Sequence, residues 1–268
     1  MPVPVPTPWA RARPRLENAP RLAFDLEGDF NLHRYGRRIC LFQVCLDDGS
    51  VFLLDPLEGG LSGADWPGWK EILENPGVTK VIWAAQNDVR VLKACHGIHL
   101  KGLWDLFDAS CLAVTPRPSL PLLVSTFLGR TIEKSESLQI SDWSVRPLSD
   151  DQRSYAVQDV FYLLALADLI DPLLDQKKKR EAFTARMEAA EAYVFADVAQ
   201  PWRKAKGSAT LLPLELEQLE SLWRRREKLA REWDLAPWRV VPSEELVLWI
   251  KEGRFSEKAL VDPRWTCG

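Results

Sequence analysis

The chain has 268 residues, a net charge of −3 and 46% hydrophobic against 27% charged residues, a composition that excludes wholesale disorder. Its length suits about two domains and enough buried surface to fold without a disulfide or metal staple. The charge balance argues against a generic polyanion binder, and the lack of any run of 18 uncharged apolar residues argues against a membrane-spanning helix.

In chain order, residues 1–20 are rich in Pro and Arg and lack periodicity, which predicts a flexible arm without a signal-type apolar stretch. A domain is expected over 21–200. It opens with a short apolar strand, Arg21–Gly28, then Ile39–Leu46, the turn Asp47-Asp48-Gly49 and a returning strand to Asp55. A short helix at Trp69–Asn75, a strand at Val78–Ala84 and a helix at Asp88–His96 follow. From Trp104 to Gly129 the pattern is helical, broken by Pro116, Pro118 and Pro121. Ser149 and Gln152 form a capping box that opens a helix expected to run unbroken to Ile170. Another helical stretch spans about Asp175–Val198. Residues 201–268 read as a polar linker and one small helical domain, with helices at Leu214–Trp233 and Glu244–Glu252. Strands alternating with helices predict an α/β layer fold. Five scattered cysteines (Cys40, Cys45, Cys95, Cys111, Cys267) without a CxxC pair read as reduced thiols of a cytoplasmic protein.

Asp25 and Glu27 lie two apart on an apolar strand, so their carboxylates share a face. Like charges on a half-buried strand repel, and a divalent cation would relieve them. Asp88 starts a helix, where the dipole alone would favour it. Tyr155 and Asp159, at i and i+4, share a helix face beside an apolar stripe. Carboxylate oxygens without His or Cys suit hard cations such as Mg²⁺ or Mn²⁺. Two such ions can serve phosphodiester displacement, with the tyrosine orienting or deprotonating the water.

The order Asp25-x-Glu27, Asp88, Tyr155-x-x-x-Asp159 resembles the tyrosine branch of the DEDD superfamily of 3′–5′ exonucleases. Trp83–Leu92 is similar to that family's second motif, and Ser141–Ser149 with Gln152 and Tyr155–Leu164 resembles the ribonuclease D signature. The resemblance covers about Arg21–Ile170. It implies an RNase H-like mixed sheet flanked by helices and two divalent cations, Mg²⁺ or Mn²⁺. It also implies hydrolytic release of nucleoside 5′-monophosphates from the 3′ ends of RNA such as tRNA precursors. By the same resemblance Asp25, Glu27, Asp88 and Asp159 hold the metals, Asp25 bridges both, Asp88 acts through water, and Tyr155 positions the attacking water. Leu26 and Lys134 fall where the family contacts substrate. Position 83 is Trp where the family usually carries His, and Gly28 stands where a bulky residue is common. Leu214–Leu260 resembles one helicase-and-RNase-D C-terminal (HRDC) module.

Several residues carry two readings. Trp143 either stacks on a base or anchors its loop in the core, and Arg146 either contacts a phosphate or shares that anchoring. His33, Arg34 and Tyr35 are expected to line the substrate entry. The clusters Lys177–Arg180, Arg203-Lys204-Lys206 and Arg224-Arg225-Arg226 are solvated helix faces or phosphate contacts. The partner expected is an RNA with an accessible 3′ end, with no membrane and no protein partner evident. The competing functions are a DNA 3′–5′ exonuclease and a non-catalytic RNA-binding module.

Overall fold

The computed structural model describes residues 4–58, 61, 63–133, 135–194 and 199–253. Two compact units divide the chain: Met1–Gly28 with Ile39–Phe195, and Asp29–Arg38 with Ala196–Gly268.

In the first unit the order is α1 (Trp9–Glu17), β1 (Arg21–Phe30), β2 (Arg37–Cys45), β3 (Val51–Leu54), α2 (Trp66–Glu74), β4 (Thr79–Ile82), α3 (Gln86–His96) and β5 (Leu103–Asp105). Then come α4 (Leu106–Ala113), α5 (Leu120–Leu128), α6 (Glu136–Gln139), α7 (Asp150–Phe161), α8 (Leu163–Gln176) and α9 (Arg180–Glu191). The sheet order is β3-β2-β1-β4-β5, with β2 and β3 antiparallel and β1, β4 and β5 parallel. This is the expected α/β mixed sheet with helices.

β1 and β4 pair over Arg21–Ala23, so Asp25 and Glu27 stand further along β1, toward the carboxyl ends of the parallel strands. That edge is where open α/β sheets place ligands. Gly102 sets the entry to β5. Its φ is +66, and a Cβ there would lie 2.4 Å from the Val78 carbonyl oxygen, a backbone atom that cannot turn aside.

The main core joins the sheet to its helices. Trp69 is fully buried, and its ring centroid lies 5.5 to 5.9 Å from those of Phe42, Phe24 and Trp9. A smaller cluster unites Cys40, Leu41, Leu53, Trp143, Leu148, Tyr155 and Ala156.

Three expectations are corrected here. The N-terminal stretch is not wholly a loose arm, because α1 buries Trp9, Ala12 and Leu16 in the main core. Its apolar stripe is hidden in the sequence by Pro14 and by arginines on the outer face. The segment after Lys101 begins with a strand, β5, before turning helical. The helix expected to run unbroken from Asp150 to Ile170 is two, separated at Tyr162, whose φ and ψ are −97° and −6°.

The second unit contains two short turns of 3₁₀ helix, α10 (Pro213–Trp233), α11 (Pro237–Val240) and α12 (Ser243–Lys251). Leu219, Leu222, Leu246 and Ile250 lie in its own core. The hairpin tip at 29–38 belongs to this unit. Buried Asp29 accepts the Leu32, His33 and Arg34 N–H groups. Arg34 and Arg38 both pair with Asp234 at the end of α10, and Trp238 Nε1 donates to the Leu32 carbonyl at 3.2 Å. His33, Arg34 and Tyr35 are therefore parts of this clasp: His33 through its carbonyl to Ala236 N–H, and Tyr35 beneath Arg231. Among the described residues no helix is long and apolar enough to cross a membrane.

Candidate active site

Strand alternation places Asp25 and Glu27 on a half-buried face and sends Leu26 into the main core at 7% exposure. The Leu26 N–H turns back to Asp25 Oδ1 at 2.8 Å. Leu26 thus packs inside, although its position suggested substrate contact.

Asp88 sits in the first turn of α3. Tyr155 and Asp159 come from α7, both 5% exposed. That helix begins at the expected capping box. Ser149 Oγ accepts the Gln152 N–H at 3.1 Å, and Gln152 Oε1 accepts the Ser149 N–H at 3.1 Å. Gln152 also reaches Ser141 Oγ at 3.1 Å, tying α7 to the loop before it. Ser149→Ala should cost about 1 kcal/mol, lowering the melting temperature by about 2–4 °C. Thermal unfolding followed by circular dichroism checks this, and an unchanged midpoint would refute the box's contribution.

The five residues form one electrostatic neighbourhood. Burial, above all, pushes the Tyr155 hydroxyl well above its ordinary range, followed by the charges of Asp159, Glu27 and Asp25 and a hydrogen bond to Asp159. Burial likewise holds Asp88 well above the usual carboxylate range, with Asp25 and then Asp105 adding to it. Asp25 is the member that acts on both. Asp105, at the end of β5, was missed in the sequence. Its signal there was weak: an Asp inside a stretch read as helical from Trp104, where the structure makes it the N-cap of α4.

The charges that raise Asp88 and Tyr155 are those of neighbouring carboxylates. Among the described residues no three acidic, His or Cys side chains form a ready-made metal cage. Like charges held close together repel, and a divalent cation would relieve them. An all-carboxylate donor set fits a hard divalent cation.

Trp143 and Arg146 resolve their two readings toward the core. Trp143 is 1% exposed, with its ring centroid 6.1 Å from that of Tyr155; a base would need an open ring face. Arg146 meets Asp55 through Nε at 2.6 Å and through Nη2 at 2.9 Å. Its remaining N–H groups reach the carbonyls of Cys40, Trp143 and Val145 at 2.7 to 2.8 Å. All five guanidinium donors are thus engaged within the protein. Lys134 lies outside the described residues. In the second unit, Arg226 departs from its two neighbours. It is 2% exposed, stacks 3.9 Å over the Trp223 ring and donates to Ser243 Oγ at 2.9 Å.

Known proteins align with this picture. The 3′–5′ exonuclease family profile matches residues 9–175, from the first residue of α1 into the last turn of α8. The exosome complex exonuclease RRP6 of Saccharomyces cerevisiae is 27% identical over 248 residues, covering 86% of this chain and 33% of that protein. Ribonuclease D of Xanthomonas oryzae pv. oryzae is 30% identical over 224 residues, covering 82% and 60%. The crystal structure of Escherichia coli RNase D, described as an exoribonuclease involved in structured RNA processing, superposes with a TM-score of 0.75 at 25% identity, covering 98% of this chain and 71% of that one. The chain therefore spans between a third and three fifths of these two curated relatives.

Proposed function

The chain belongs to the 3′–5′ exonuclease family, and from that premise we propose that it is a metal-dependent 3′–5′ exoribonuclease of the ribonuclease D type. Its substrates on this reading are tRNA precursors or other small structured RNAs, and its products nucleoside 5′-monophosphates. The observation that supports the reading most is the match of the 3′–5′ exonuclease profile over residues 9–175, a span that takes in Asp25, Glu27, Asp88, Tyr155 and Asp159 on three separate elements.

Asp25, Glu27, Asp88 and Asp159 would hold two divalent cations, Mg²⁺ or Mn²⁺, with Asp25 shared. When bound, such ions supply charge stabilisation for the attacking and leaving oxygens. The chain's own part is positioning. β1 fixes two carboxylates on one face, α3 brings Asp88, and α7 brings Asp159 with Tyr155 one turn before it. The Tyr155 hydroxyl would orient the attacking water. The C-terminal helices would form one HRDC-like module that grips RNA through basic faces such as that of Arg224, with Arg226 reserved for the module's own packing. The buried free thiol of Cys45 suits a reducing, cytoplasmic setting.

Incubation with a 3′-extended hairpin RNA and Mg²⁺ or Mn²⁺ should give a ladder shortening one nucleotide at a time, with nucleoside 5′-monophosphates as the product. No shortening with either ion would overturn the reading. Equal rates on DNA of the same sequence would favour the DNA exonuclease instead, and tight binding without turnover would favour a binding module.

A further inference from the structure

The turn that launches α3 has little of its own to hold it. Ala84 lies at φ +56, in the left-handed region that residues with a Cβ seldom occupy. Ala85, the residue before α3, has no side chain to accept an N–H.

Asp105 fills both needs from the neighbouring strand. β4 and β5 are parallel, with Ile82 opposite Asp105, so the Asp105 carboxylate reaches the residues just beyond β4. Its Oδ1 accepts the Ala84 N–H at 3.1 Å, and its Oδ2 accepts the Ala85 N–H at 2.8 Å. Oδ1 also caps α4, accepting Phe107 N–H at 2.9 Å and Asp108 N–H at 3.2 Å. One carboxylate, 5% exposed, thus gathers four backbone donors from two helix starts, where the helix dipoles favour an anion. Asp88 lies three residues beyond Ala85 in the first turn of α3.

We propose that Asp105 is a positioning residue for the exonuclease site: by clamping the Ala84–Ala85 turn it fixes where α3 presents Asp88 to a divalent cation. The inference rests on the nuclease reading above. Asp105 holds the turn through the backbone N–H groups on its oxygens, and its charge is also felt at Asp88.

The test compares the whole chain with Asp105→Asn and Asp105→Ser in calorimetric Mn²⁺ titrations, with RNA trimming against Mg²⁺ concentration in parallel. Asn keeps one acceptor but sets an amide N–H against a backbone donor. Ser can still cap α4 but is one bond too short to hold the Ala84–Ala85 turn. Both should weaken Mn²⁺ binding and raise the half-saturating Mg²⁺ by about 10–100-fold, with the RNA KM at saturating Mg²⁺ unchanged. Melting curves confirm folding, and the Ser variant carries the comparison if the Asn variant does not fold. Wild-type Mn²⁺ affinity in a folded variant overturns the proposal, and so does a loss of kcat with unchanged half-saturation. A wild-type chain that binds Mn²⁺ without trimming RNA defeats the nuclease reading, while the affinity comparison still decides the role of Asp105.

Discussion

Asp25→Asn is expected to slow RNA trimming by about a thousandfold while leaving the fold intact. Losing a carboxylate that stabilises charge through metal ions removes several kcal/mol from the transition state, and each 1.36 kcal/mol is tenfold in rate. Asp25 is the acid whose charge reaches both Asp88 and Tyr155, so its loss disturbs both sides of the cluster. Asparagine keeps the oxygen that accepts the Leu26 N–H and removes one repelling charge, so the melting temperature should hold or rise slightly. Release of nucleotides from a 3′-labelled RNA measures the rate. A variant that trims as fast as wild type would remove Asp25 from the chemistry.

Arg146→Met should destabilise the protein by about 3–5 kcal/mol, because it leaves the fully buried carboxylate of Asp55 without its cation. The melting temperature should fall on the order of 10 °C. Removing both charges, in Asp55→Leu with Arg146→Met, should restore part of that loss, since a packed apolar pair often replaces a buried ion pair at little cost. A phosphate ligand would behave differently. Its loss would raise the RNA KM and reduce the salt dependence of binding with stability untouched, and that outcome would contradict the anchoring role of Arg146. The same pair of measurements separates packing from binding for this loop, which sets Trp143 against Tyr155.

The features legible in the sequence were those written locally. The Asp47-Asp48-Gly49 turn closes as expected, with Gly49 at φ +78 and the Leu46 N–H on the Ser50 carbonyl. Ser149 and Gln152 cap each other across three residues. The two-residue spacing of Asp25 and Glu27 set their shared face, and the four-residue spacing of Tyr155 and Asp159 set theirs. Features fixed by distant partners were not legible. Nothing near Arg146 announces Asp55, 91 positions away. Arg226 reads like Arg224 and Arg225 until Trp223 and Ser243 close around it. β5 has only three residues and is recognisable by its pairing with β4, not by any period. α1 carries its apolar stripe through a proline, which propensity alone would read as a break.

Anomalous diffraction from crystals soaked in Mn²⁺ tests the central claim most directly. Two peaks bounded by Asp25, Glu27, Asp88 and Asp159 are the expected result. Manganese found only elsewhere on the molecule would contradict it.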